Sequence, residues 1–232
     1  LRTRLWFSAL QLLSGLRSPT HICLAVEGEA GRHADGIARA RTWGRYSTGA
    51  SVASRMKGRR DLVALAEARF PGAARWIDSP IWRALKRERL TLQDIEDGLR
   101  SLSPRVLAHL YAQDTQEPYT NRQWRFVSKT AIQQLDDFDI LVAIVLLYVL
   151  ADLRNSPGQR IALQMMYLDS FPAIERIPEL EPFFDDVLDA VEHVFPLWPL
   201  PHFFELPRIL STPKDTKWGQ RLRAYIGLGP RP

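Results

Sequence analysis

Residues Ile140–Ala151 (ILVAIVLLYVLA) are twelve consecutive apolar residues bracketed by Asp139 and Asp152. At about 1.5 Å per residue, a helix of this length measures roughly 18 Å, well short of the roughly 30 Å hydrocarbon core of a bilayer. The run therefore predicts a helix buried in protein, with no membrane span. An amphipathic helix leaves one face to water, whereas this one must be covered on every side, which demands several neighbours. The chain can supply them, because 232 residues with 46% hydrophobic content suffice for one large domain or two small ones with a substantial core.

Around this run the sequence is punctuated as a series of helices. A serine followed by proline recurs at Ser18-Pro19, Ser79-Pro80, Ser103-Pro104 and Ser156-Pro157, the pairing of an N-cap with a proline pre-set for the first helical turn. Thr91 with Asp94 has the spacing of a capping box. Helices are expected over Thr20–Glu27, Ile37–Gly49, Arg59–Phe70, Ile81–Lys86, Leu92–Leu102, Arg105–Gln113 and Gln159–Tyr167, with a further one opened by Glu181-Pro182. From Thr120, residues Trp124, Val127, Ala131, Leu135 and Phe138 recur at three- and four-residue steps and predict another amphipathic helix. Asp139 is placed to cap the central helix.

Phe195–Pro213 (FPLWPLPHFFELPRILSTP) mixes prolines with aromatics and predicts an extended belt over the core. Asp35-Gly36 and Asp97-Gly98 lack the alternating apolar flanks of a hairpin, and no sustained period-two pattern occurs. The expected fold is all-α, a multi-helix bundle around one fully buried central helix, with a small N-terminal helical part.

The formal charge of +5 is unevenly spread: residues 1–90 carry 17 Lys+Arg against 7 Asp+Glu, and residues 91–232 carry 14 against 19. We read a basic part over residues 1–78 and an acidic part over 91–232, separate or continuous. A basic segment of this kind points to an anionic partner, nucleic acid ahead of a membrane surface. The single cysteine, Cys23, excludes an intrachain disulfide and a Cys-based zinc finger, and fits a reducing, cytoplasmic compartment. The chain begins at Leu1 without a methionine, which leaves the position of the native N-terminus open.

Ala38–Gly49 (ARARTWGRYSTG) is the stretch with the clearest division of labour. On a helix, Trp43 and Tyr46 share one face, and Arg41 and Arg45 project from the opposite one. A DNA-contacting helix needs this arrangement, an aromatic anchor on the scaffold side with Arg, Thr or Ser reaching phosphates or base edges. Helix Leu5–Leu13, helix Thr20–Glu27, the run Arg41-Thr42-Trp43-Gly44-Arg45-Tyr46 ending at Gly49, and the leucine-rich helix Asp61–Phe70 together resemble a degenerate helix-turn-helix of the lambda-repressor/Cro type over about residues 1–75. The nine-residue Gly28–Gly36 segment replaces that family's tight turn. The resemblance implies DNA contact from the third helix.

The candidate DNA-binding residues are Arg41, Thr42 and Arg45, with Lys57, Arg59 and Arg60 of a second basic cluster beside Gly58 as phosphate contacts. The histidines show no metal-binding spacing, and no nucleophile elbow or phosphate loop is present, so no catalytic residue, cofactor or metal is assigned. Asp136, Asp137 and Asp139, and the helical face of Asp185, Asp189 and Glu192, read as structural or solvated acids. The expectation is a non-enzymatic, bacterial-type DNA-binding or regulatory protein. The alternative is a protein–protein interaction module, or a self-associating one, that binds no nucleic acid.

Overall fold

The computed structural model describes residues 1–28, 36–53, 61–113, 123–126 and 135–194, together with 216, 217, 219, 220 and 223. The chain divides into two compact units, Leu1–Trp82 with Asp185–Val187, and Arg83–Phe184 with Leu188–Pro232. The predicted belt over 195–213 and the cluster Lys57, Arg59, Arg60 lie outside the described residues.

The first unit is built from α1 (Arg2–Ser14), α2 (Pro19–Glu27), α3 (Gly36–Thr48), α4 (Leu62–Arg69) and α5 (Ala74–Asp78), with the start of α6 (Ile81–Leu85). Ser18 precedes Pro19 at the first position of α2, and α3 ends where Gly49 adopts φ 75°, a left-handed conformation open to glycine because it lacks a Cβ. Asp61 caps α4 by accepting from the Ala64 amide at 2.9 Å. α1 packs against α3 and α5, and α2 against α3 and α4. The inner residues of this arrangement include Leu5, Trp6, Ala9, Leu10, Ile22, Trp43, Val63 and Ile77, all buried.

In the second unit α7 (Leu92–Arg100) opens with the expected capping box: Thr91 Oγ1 accepts from the Asp94 amide, and Asp94 Oδ2 accepts from the Thr91 amide at 2.9 Å. α8 (Pro104–Leu107) follows, then strands β1 (Leu110–Gln113) and β2 (Gln123–Phe126). The strands pair antiparallel, Leu110 opposite Phe126 and Gln113 opposite Gln123. Beyond them come α9 (Phe138–Leu153), α10 (Pro157–Glu175), a 3-10 turn (Glu181–Phe183) and α11 (Phe184–Val194).

The helical bundle around a buried central helix is confirmed. Every residue of α9 from Phe138 to Tyr148 is buried, as are Leu150 and Ala151. α10 and α7 pack against it. Among the described residues, no helix is long and apolar enough to cross a membrane.

Four local expectations are corrected. The helix predicted from Thr120 is a strand at 123–126, and the one predicted over Arg105–Gln113 ends at Leu107 before β1 begins. In β2, Trp124 and Phe126 are half-buried and Arg125 between them is exposed, the period-two signature of a strand; three residues of alternation are hidden behind the longer helical spacing that Trp124 shares with Val127 and Ala131.

The cap of α9 is Asp137 instead of Asp139: its Oδ1 accepts from the Asp139 amide at 3.0 Å. Asp139 instead accepts from the Ser103 amide at 2.7 Å, and the Ser103 hydroxyl donates to Asp137 at 2.9 Å. This ties the start of α9 to that of α8. Finally, α10 runs through Pro172 to Glu175, past the predicted end at Tyr167. A proline within a helix costs on the order of 3 kcal/mol, and here the burial of Phe171, Ala173 and Ile174 offsets it.

Because α9 is enclosed, truncating it should be expensive wherever it is tried. Leu141→Ala is expected to destabilise the protein by about 3 kcal/mol, read as a lowered midpoint of urea unfolding monitored by circular dichroism. A loss below about 1 kcal/mol would contradict full coverage of that face.

Candidate nucleic-acid interface

The helix that carries the candidate residues is held by a spacing shared between two neighbours. Cys23 and Glu27 are four apart on α2, and Arg39 and Trp43 are four apart on α3, so each pair lies on one helical face. Glu27 is the point where the other three meet. Its Oε1 accepts from Trp43 Nε1 at 2.7 Å, with the Cys23 thiol donating from 3.6 Å, and its Oε2 pairs with Arg39 Nη1 at 3.5 Å. The Glu27 side chain is 4% exposed, and burial of a charge is tolerated only with such donors around it.

Aromatic packing completes the anchor. Trp6 of α1 stacks on Trp43 with centroids 5.7 Å apart, and Tyr46 stands edge-on to both rings at 5.8 Å. Offset stacking and edge-to-face contacts of this kind suit the ring quadrupoles. Burial first, and the nearby Glu27 carboxylate second, hold the Tyr46 phenol above its ordinary pKa. Trp6 Nε1 is buried without a hydrogen-bond partner among the described residues.

The consequence is a fixed outward face. Trp43 and Tyr46 are buried, while Arg41 and Arg45 are exposed, one helical turn apart and so on the same side. Neither arginine makes a side-chain hydrogen bond or ion pair among the described residues. Thr42 is half-buried on the flank. α3 carries Arg39, Arg41 and Arg45 and no acid, so its exposed side presents positive charge alone. At the C-terminal end, the Ser51 amide closes back on the Arg45 carbonyl at 3.3 Å.

The structure thus brings Arg41, Thr42 and Arg45 together on one helix, whereas Lys57, Arg59 and Arg60 lie outside the described residues. Sequence reasoning missed Glu27, the residue that orients Trp43. Its only signal was an acid ending an otherwise apolar helix, four residues after Cys23. Among the described residues, no group of three or more His, Cys, Asp or Glu side chains is placed to hold a metal ion. No protein-family model, curated protein or solved structure matches the chain.

Burial, followed by the Glu27 charge and its hydrogen bond, pushes the Cys23 thiol up to about 11 from an ordinary 9.0. In the folded chain Cys23 should therefore react far more slowly with a disulfide reagent at pH 8 than in denaturant, since the thiolate is the attacking species. The same shift sets the sign of a pH effect. Between pH 9 and 11 the unfolded thiol ionises before the folded one, so this group's contribution to stability falls as pH rises through that window. Equal labelling rates in folded and denatured protein would contradict the enclosed site.

Proposed function

We propose that the chain is a non-enzymatic DNA-binding protein that grips the duplex backbone through the outer face of α3. The observation that carries this reading is the division of that helix: Trp43 and Tyr46 lock one side into the unit, and Arg41 and Arg45 stand exposed on the other. A guanidinium held on a rigid helix loses little freedom when it meets a phosphate, and its fork suits bidentate contact. Residues 1–82 carry 13 Lys+Arg against 6 Asp+Glu, which supports attraction to a polyanion over a longer range. In this reading Thr42 adds a hydroxyl contact, and Lys57, Arg59 and Arg60 add phosphate contacts beyond α3. The resemblance to lambda-repressor/Cro-type helix-turn-helix proteins supports α3 as the contacting helix.

A second reading is a protein–protein interaction module that binds no nucleic acid. Leu12 and Leu13 favour it, because both are about half exposed at the end of α1, 50% and 45%, and backbone contact to DNA makes no use of them. Apolar anchors of this kind form the centre of protein interfaces.

Electrophoretic shift on mixed DNA fragments at two salt concentrations separates the two. The DNA reading expects a shift that weakens steeply with salt, and expects the double variant R41A/R45A to reduce the log–log salt slope by about 2, roughly one for each guanidinium removed from a phosphate. Absence of a shift at low salt would overturn it. The second reading then expects concentration-dependent sedimentation that L12S/L13S abolishes.

A further inference from the structure

The second unit contains a cavity for which DNA contact through α3 has no use. It lies where β2 meets α9 and α10, and its volume is about 150 Å³. Helical spacing builds two of its walls. Leu147, Leu150 and Arg154 of α9 are three and four residues apart, and Gln159, Ala162, Leu163 and Met166 of α10 repeat the same steps, so each set forms one stripe. Trp124 and Phe126, two apart on β2 and therefore on one face of it, close a third side.

The lining changes character with depth. Leu147, Leu150 and Leu163 are buried and form an aliphatic floor. Trp124, Phe126 and Met166 are half-buried around it, and Gln159 and Ala162, three apart on α10, are exposed and mark the mouth. Trp124 Nε1 is closed to water, so the indole shows the cavity its ring carbons. Arg125 and Arg154 already have partners, so neither guanidinium waits for an anion. A water molecule needs about two to four polar neighbours, and a floor of leucine side chains offers it none. A space that neither side chains nor water fill leaves its walls without partner atoms, and an apolar ring restores those contacts.

We propose that the second unit binds a small uncharged aromatic molecule in this cavity, its ring on Leu147, Leu150 and Leu163 and any polar substituent at the mouth beside Gln159. Size sets one limit. A cavity of about 150 Å³ walled by Leu, Ile and Phe side chains accommodates a benzene-sized molecule, which excludes long-chain lipids and nucleotides. The half-buried side chains set another: Trp124 and Phe126 can meet a ring offset or edge-to-face, and the Met166 thioether is favourable at a ring edge, contacts that an alkane does not make. The Gln159 amide carries donors and an acceptor, so a hydroxyl at the mouth finds a partner in either sense. An ionised group is different, because drawing it toward the leucines strips water that they cannot replace.

The test uses the full chain and isothermal titration calorimetry at pH 7, with benzyl alcohol as the uncharged probe and benzoate, close to it in size, as the ionised one. Saturable one-to-one binding of benzyl alcohol is expected, with benzoate at least about tenfold weaker. Ala162→Phe places a ring across the mouth at an exposed position, so the far-UV circular dichroism should be unchanged while benzyl alcohol binding falls at least about tenfold. Gln159→Trp, at the other exposed mouth position, gives the same readout if Ala162→Phe does not fold. A flat titration with benzyl alcohol overturns the proposal. So does undiminished binding by the folded mouth variant, which would put the probe elsewhere on the chain, or equal binding of benzoate, which would contradict an uncharged ligand.

Discussion

A helix without a polar face is stable only where its surroundings supply apolar cover in every direction, and the second unit is arranged to satisfy that demand for α9. The polar groups needed at the start of the helix are concentrated there: Asp137 caps it, and Asp139 and Ser103 join it to α8. Beyond Ala151 the chain returns at once to charge, with Asp152 pairing Arg160 at 2.7 Å. Between these ends the apolar residues have no water-facing alternative, and α7 and α10 pack against them. Beside Leu147 and Leu150 a cavity lies between α9, α10 and β2.

The first unit meets a different constraint with a different device. Its central contact is polar, the carboxylate of Glu27 surrounded by Trp43, Cys23 and Arg39. An apolar contact would tolerate rotation of α3 about its axis, since hydrophobic attraction has no direction. A 2.7 Å hydrogen bond from an indole to a buried carboxylate does have one, and the stacked Trp6 and edge-on Tyr46 narrow it further. The rotation of α3 follows from this geometry, and with it the direction in which Arg41 and Arg45 point. The exposed charges therefore depend on a buried one.

How much of this was legible in the sequence follows from the range of each signal. Local chemistry was readable: the Thr91–Asp94 box, the helix starts at Pro19, Pro104 and Pro157, where the preceding serines make no side-chain cap bond, and Gly49 all involve groups within a few residues of one another, and the enclosure of α9 was evident because no face of it could meet water. The amphipathic division of Trp43 and Tyr46 from Arg41 and Arg45 was equally visible, since helical periodicity alone determines it. What failed was non-local. β2 is stabilised by pairing with β1, across a segment that gives no periodic cue, and its Trp-Arg-Phe alternation is too short to outweigh a helical pattern spanning it. Asp137 and Asp139 are two residues apart, and which of them caps α9 depends on Ser103, more than thirty residues away. Glu27 was invisible for the same reason, because its partners on α3, Arg39 and Trp43, are twelve and sixteen residues away.

The form of the α3 face also bears on the kind of DNA recognition it can support. Arg41 and Arg45 are one turn apart, about 6 Å along the helix axis, and Thr42 sits half-buried on the flank. Reading base edges requires several side chains of different donor and acceptor character projecting into the groove. Two like cations and one flanking hydroxyl offer little of that variety, whereas they match the uniform chemistry of the phosphate backbone. If α3 contacts DNA as proposed, a face of this composition would derive affinity from charge and orientation. Preference among sites would then arise from the width and deformability of the duplex, which set how closely successive phosphates approach two guanidinium groups held at a fixed spacing.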